Sequence, residues 1–222
     1  KYRSMAEKQY QSKMPLRAAR GTLTDRNGTN IASNTMLVSF AVDPLVAGDD
    51  ARAIAGIFSQ LFGKPRKAYL DKLHADSRFV WLERGVSSAF RPKIDAQKLS
   101  GIVVRVEPNR LYYHDGLAGQ LVGATDVDNQ GIAGLEFKFD KELRGIDGYV
   151  VFQRDGLGRA RPSVDYPRGE PVNGDSITLT IDMRLQAIAE RELRRGIELN
   201  KAEGGIVVIL QPKTGEVLAM AQ

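Results

Sequence analysis

The side chains able to do chemistry in this 222-residue chain fall into a few charged constellations. Arg20, Asp25 and Arg26 stand within seven residues of one another. A carboxylate between two guanidinium groups can hold a ligand, or it can close a local ion-pair and hydrogen-bond network where a hairpin meets the body of a domain. The second reading is preferred, and Glu136 with Arg110 invites the same one. Asp126-x-Asp128-x-Gln130-Gly131 imitates the start of a calcium loop, but Phe137 stands at the twelfth position, where such a loop needs a bidentate Glu. His74 and His114 are far apart in sequence and belong to no ligand cluster, so solvated or hydrogen-bonded rings are expected. The absence of cysteine removes disulfides, thiolate zinc sites and a Cys nucleophile together. No metal and no cofactor is expected.

Those residues need elements to position them. Residues 1–13 are polar and read as a helical lead-in stopped before Pro15. Residues 21–25 and 29–32 flank Asn27-Gly28, a dipeptide that signals a hairpin with a type I′ turn. A strand follows at 35–42. Asp49 or Asp50 then caps a helix whose Ile54, Ile57, Phe58, Leu61 and Phe62 share one face, closed by Gly63 and Pro65; the stripe reads as core. A short helix carries Tyr69, Leu70 and Leu73, a strand is expected at 79–83 and a helix at 92–99. Ile102, Val104 and Val106 alternate with Val103, Arg105 and Glu107 as in a half-buried strand. Helices are expected at 117–123 and 132–143, and a strand at 149–154. A loop rich in Gly and Pro, from Gly156 to Gly174, is the best boundary in the chain. Beyond it come a strand at 177–181 and a helix capped by Asp182, with Leu185, Ile188, Ala189, Leu193 and Ile197 on its buried face. A hairpin closes the chain, 206–210 and 216–220, turning at 211–215. Short mixed strands with segregated helices predict an α+β fold.

Composition narrows the class. With 42% hydrophobic and 27% charged residues the chain can bury a core, which excludes a disordered or collagen-like polymer. The net charge of +5 is scattered, with Lys64, Arg66 and Lys67 densest and Arg154, Arg159 and Arg161 next. Neither group is interleaved with stacking aromatics, so nucleic acid is not an expected partner. No apolar run exceeds the five residues of 206–210, far below the roughly 20 of a membrane helix. The chain opens on Lys1 instead of Met, and the expectation is a piece of a longer protein with a signal or anchor upstream.

Three stretches resemble a known family. Arg20-Gly21-x-x-x-Asp25-Arg26-Asn27-Gly28-x-x-Ile31-Ala32 looks like the N-terminal motif of class B penicillin-binding proteins. Arg110-x-Tyr112, then Gly123 and Gly131-x-x-Gly134-Leu135-Glu136, resembles their second non-catalytic motif. Thr178-Leu179-Thr180-Ile181-Asp182-x-x-Leu185-Gln186 resembles the third, where the transpeptidase domain begins. Arg191-Glu192-Leu193 with Asn200-Lys201-Ala202-Glu203 leans towards the division-specific branch.

The resemblance implies a bitopic envelope protein with one membrane helix, an elongated pedestal and a serine D,D-transpeptidase domain that cross-links peptidoglycan. Its catalytic signature is Ser-x-x-Lys, Ser-x-Asn and Lys-Thr/Ser-Gly. No serine here has Lys three residues on or Asn two residues on. Lys213-Thr214-Gly215 spells the third box, but the family has a turn between two strands at this place, and a Lys with no nucleophile to activate does no chemistry. The expected organisation is a non-catalytic pedestal at 1–175, with a helical lobe at about 44–100, and the opening helix and hairpin of a transpeptidase domain at 176–222. The implied partners are the membrane, through a helix upstream of Lys1, a glycosyltransferase and other division proteins, and peptidoglycan through the catalytic domain. The implied location is the periplasmic face of the cytoplasmic membrane. An elongation-type class B enzyme and a stand-alone envelope glycan-binding module are the alternatives.

Overall fold

The computed structural model describes residues 11–154, 160–162 and 168–222. The chain forms two compact units: residues 35–109, and a second made of everything before and after them. The fold is α+β, as the sequence predicts. Residues 1–10 of the expected lead-in, with Gly156, Gly158 and Pro167 of the expected loop, lie outside the described residues.

In the discontinuous unit the first element is a strand, β1 (Gln11–Leu16), where a helix end was expected. It pairs antiparallel with residues 148–153, Pro15 opposite Tyr149. Ladder bonds to a distant strand override the local polar pattern. Pro15 is tolerated because β1 ends the strand order and one of its sides needs no donor. Strand β2 (Leu23–Thr24) then turns into β3 (Asn30–Val42), with Leu23 opposite Ala32. The turn is not type I′: of Asn27 and Gly28 only Gly28 takes a positive φ, +82°. The Asp25 carboxylate shapes the loop instead, accepting the N–H groups of Asn27 and Thr29 at 2.8 Å each.

The 35–109 unit follows α1 (Pro44–Ala47), α2 (Ala51–Phe62), α3 (Arg66–Leu73), β4 (Val80–Val86), α4 (Arg91–Asp95) and β5 (Ile102–Tyr112). Strand β3 pairs with β4 and with β5. Ile54, Ala55 and Phe58 of α2 are fully buried against Phe40 of β3, Tyr69 of α3 and Leu82 of β4, as the apolar stripe predicts. The rings of Phe40 and Phe58 meet edge to face at 5.8 Å. Gly63 closes α2 in the left-handed region. Asp50 precedes the helix, yet its carboxylate accepts the Ser100 N–H at 2.9 Å instead of capping. Tyr69 donates a short hydrogen bond to Glu83, which also pairs with Lys64 at 2.7 Å. The alternation expected along β5 fails at Val106, which is 48% exposed while Arg105 is half-buried beneath aromatic rings.

The chain then passes through α5 (Gly119–Val122), α6 (Gly134–Lys138), α7 (Asp140–Leu143), β6 (Gly148–Arg154), β7 (Ala160–Pro162) and β8 (Arg168–Gly169). The single helix expected at 132–143 is two short ones, broken at Phe139, where ψ reaches +24°. Strand β9 (Ile177–Thr178) is shorter than expected because β2, its parallel partner, is only two residues long. Helix α8 (Met183–Asn200) starts where Asp182 predicts, its carboxylate accepting the Arg184 and Leu185 N–H groups. Its buried residues are Met183, Gln186 and Ala189, and the expected Ile188 is 45% exposed. The hairpin β10 (Val207–Leu210) and β11 (Val217–Ala221) packs Val207, Ile209, Ala219 and Ala221 against α8. One face of the hairpin is therefore covered, while Ile206, Val208 and Leu210 are 71, 47 and 53% exposed.

Candidate functional site: a buried polar framework

The motif residues meet in two clusters within the discontinuous unit. Arg20 follows β1, and its guanidinium makes four hydrogen bonds. Nε donates to Glu136 Oε2 at 2.7 Å, Nη1 to Asp140 Oδ1 at 2.7 Å and Asn129 O at 2.9 Å, and Nη2 to Glu136 O at 2.8 Å. Arg110, on β5, donates from Nε to Glu136 Oε1 at 2.7 Å and from Nη1 to Gly21 O at 2.8 Å. Its Nη2 has no acceptor among the described residues. Side-chain exposure is 1% for each arginine and 0% for Glu136. Two arginines and two acids make the group neutral, which is the condition for burying charge at all.

The backbone is shaped to this group. Gly131 passes so close to α6 that a Cβ would lie 2.0 Å from Glu136 O, so only glycine fits, and its N–H donates to Asp140 Oδ1 at 2.7 Å. Burial pushes the Asp140 carboxyl up, but the Gly131 N–H and the Arg20 guanidinium outweigh it and hold the group below its ordinary range. Burial also pushes the Arg110 pKa down, against the pull of Glu136. Tyr112, two residues on, accepts the Thr125 N–H at its hydroxyl, 3.0 Å, and burial raises its pKa. Gly134 opens α6 with a positive φ.

The second cluster grips the start of α8. Asp25 is 1% exposed and accepts the N–H groups of Asn27, Thr29 and Met183, the last at 3.2 Å. Burial raises its pKa, yet these amides outweigh it and leave the group below the usual carboxylate value. Asn27 Nδ2 donates to Asp182 at 3.1 Å, which with the two α8 amides holds the Asp182 carboxyl low as well. The Arg26 N–H donates to Ile181 O, and its guanidinium lies 3.5 Å from Glu216 at the surface. Gln186 is fully buried. Its amide gives a hydrogen bond to Met220 O at 2.7 Å and takes one from Met220 N at 2.8 Å, so that it pairs with β11 as a strand would, and it also donates to Glu190 at 2.9 Å.

The expected Arg20–Asp25 pairing is therefore corrected. Arg20 reaches back to α6 and α7, and Asp25 is satisfied by amides. Among the partners, Asp140 and Glu190 were not singled out from the sequence, and Asn27 was read only as a turn and motif residue. Glu136-x-x-x-Asp140, one helical turn apart, was the signal for the first. Both Glu136 oxygens accept guanidinium N–H groups, so chemically the residue is a fastening. Asp126 accepts the N–H groups of its own loop, those of Asp128 and Gln130. Lys213-Thr214-Gly215 is the hairpin turn, closed by Gly215 N–H to Gln211 O at 2.8 Å. No helix among the described residues is long and apolar enough to cross a membrane.

The chain is similar to known proteins. Residues 15–179 match the penicillin-binding protein dimerisation domain. The probable peptidoglycan D,D-transpeptidase PenA of Neisseria meningitidis is 35% identical over 209 residues, which cover 93% of this chain and 36% of that protein. The peptidoglycan D,D-transpeptidase FtsI of Escherichia coli K12 is 34% identical, with 91 and 35% covered. The chain thus spans about a third of the length of these relatives. A peptidoglycan synthetase from Bifidobacterium adolescentis superposes with a TM-score of 0.63 at 28% identity, covering 95% of this chain and 43% of that one. The penicillin-binding protein PBP2 of Helicobacter pylori, solved in complex with MreC, gives 0.71 at 20% identity, with 96 and 43% covered, a likeness of fold. The chain belongs to the penicillin-binding protein dimerisation domain family, as the N-terminal pedestal region of a class B penicillin-binding protein.

Proposed function

We propose that this chain is the non-catalytic pedestal of a membrane-anchored peptidoglycan D,D-transpeptidase of septal wall synthesis, working on the periplasmic face of the cytoplasmic membrane. Residues 1–175 hold the catalytic domain, residues 176–222 begin it, and the pedestal surface docks a glycosyltransferase and other division proteins. The carrying observation is that residues of the first and third motifs converge on one helix start: Asp25 binds the Met183 N–H, Asp182 caps α8, and Gln186 ties α8 to β11. A framework at that point transmits position from pedestal to catalytic domain and leaves the chemistry to residues beyond it. The chain itself has no Ser-x-x-Lys, so a fluorescent penicillin should leave it unlabelled and should label the full-length protein. A fluorescent fusion of the full-length protein should gather at midcell. Lateral, wall-wide distribution would assign it to elongation, and stoichiometric labelling of this chain would end the non-catalytic reading.

A further inference from the structure

Within the 35–109 unit, the sheet of β3, β4 and β5 carries α2, α3 and α4 on one face. On its other face Phe79 and Trp81 meet edge to face, ring centroids 4.8 Å apart. The Arg84 guanidinium lies 4.8 Å from the Trp81 centroid, and that of Arg105 lies 4.9 Å from Phe79 and 5.8 Å from Trp81. Arg84 also reaches Glu107 at 3.7 Å. Arg105 has no carboxylate among the described residues, and its Nε is buried without an acceptor. Val103, two residues before Arg105 and so on the same face of β5, is 36% exposed. The unit as a whole holds 11 Lys and Arg against 8 Asp and Glu.

A guanidinium stacked on two rings is already ordered, so binding a carboxylate there costs little further side-chain entropy. The unpaired charge selects an anion, and the apolar Val103 beside it selects a chain with side chains over a bare ion. The ring faces are taken by the two guanidinium groups, which leaves no bare aromatic platform for a sugar to stack on. We propose that this face docks an extended acidic segment of a partner protein, a Glu or Asp carboxylate pairing with Arg105 and an adjacent apolar side chain lying on Val103. This deepens the docking role proposed above and rests on that reading only for the existence of a protein partner.

Trp81 is the only tryptophan in the chain, so its emission reports the face directly. The probe is a capped octapeptide alternating Glu and Val, titrated into the full chain, with an alternating Lys and Val peptide and soluble muropeptides as comparisons. The acidic peptide should change Trp81 emission saturably, and Arg105→Gln should weaken it about tenfold, the loss of one charge-assisted pair. Arg105→Lys, which keeps charge and fold but loses the planar fork, should fall between. Lys67→Gln, an exposed residue of α3 with the same change of charge, should bind within about twofold of the parent. No response to the acidic peptide, equal weakening by Lys67→Gln, or a response to muropeptides alone overturns the proposal. The midcell and penicillin tests are independent of all three outcomes.

Discussion

The two units differ in how much buried charge their interiors carry. In residues 35–109 the centre is a ring of aromatics, Phe40, Phe58 and Tyr69 among aliphatic side chains. In the discontinuous unit an apolar cluster around Leu23, Ile31 and Leu143 shares the interior with Arg20, Arg110 and Glu136, all almost fully buried. An apolar core asks for volume, and side chains of similar size substitute for one another at modest cost. A buried ion cluster asks for each partner at its place, because removing one strands the others in a medium that cannot solvate them. The difference teaches which positions the family motifs mark. They mark the unforgiving polar framework and skip the tolerant aromatic lobe.

Conservative changes should expose this contrast most strongly. Glu136→Gln leaves two buried guanidinium groups short of charge and should cost about 3–5 kcal/mol in urea unfolding. Phe58→Leu, equally buried, should cost about 1.5 kcal/mol or less. Equal losses from the two would break the comparison. Next comes Asp25→Ala, which leaves the Asn27, Thr29 and Met183 amides without their acceptor; thermal melts should register about 1–3 kcal/mol. In the full-length protein, penicillin acylation by this variant should fall only as far as folding falls.

Acid sharpens the comparison further. Three carboxyls of the discontinuous unit, Asp25, Asp140 and Asp182, have folded pKa values below the ordinary 3.8, against Asp50 in residues 35–109, which the Ser100 N–H lowers. A depressed carboxyl contributes stability that is fully present above its unfolded pKa and is lost as pH falls through the folded one. Hydrogen exchange should therefore find the amides of α6 and of the first turn of α8 losing protection below about pH 4, ahead of those of α3. The smallest effect belongs to the surface pair Arg26–Glu216, about 35% exposed on each side. Arg26→Ala should shift stability by about 0.5 kcal/mol or less.

Much of the fold was legible where its signals are local. The Ile54 to Phe62 stripe, Gly63 as helix stop and Asp182 as helix cap act within one or two turns of chain. β1 was missed because its hydrogen bonds go to residues more than 130 positions away, which no polar pattern at 11–13 announces. The expected type I′ turn gave way to the Asp25 carboxylate, whose role as acceptor for Met183 is also long-range. In the site, the motif residues were found and Arg110 pairs with Glu136 as expected, but the partners of Arg20 and Asp25 were not found. Arg20 sits five residues from Asp25, yet its partners lie more than 110 away on α6 and α7, and proximity in sequence pointed to the nearer acid.

The central claim, that the buried motif residues around Glu136 are interdependent, is tested most directly by a double-mutant cycle on Arg110 and Glu136. Urea unfolding would be measured for Arg110→Met, Glu136→Gln and the pair. The account predicts that the double variant is far less unstable than the two losses added together, a coupling of about 1.5–3 kcal/mol. Losses that simply add would contradict it.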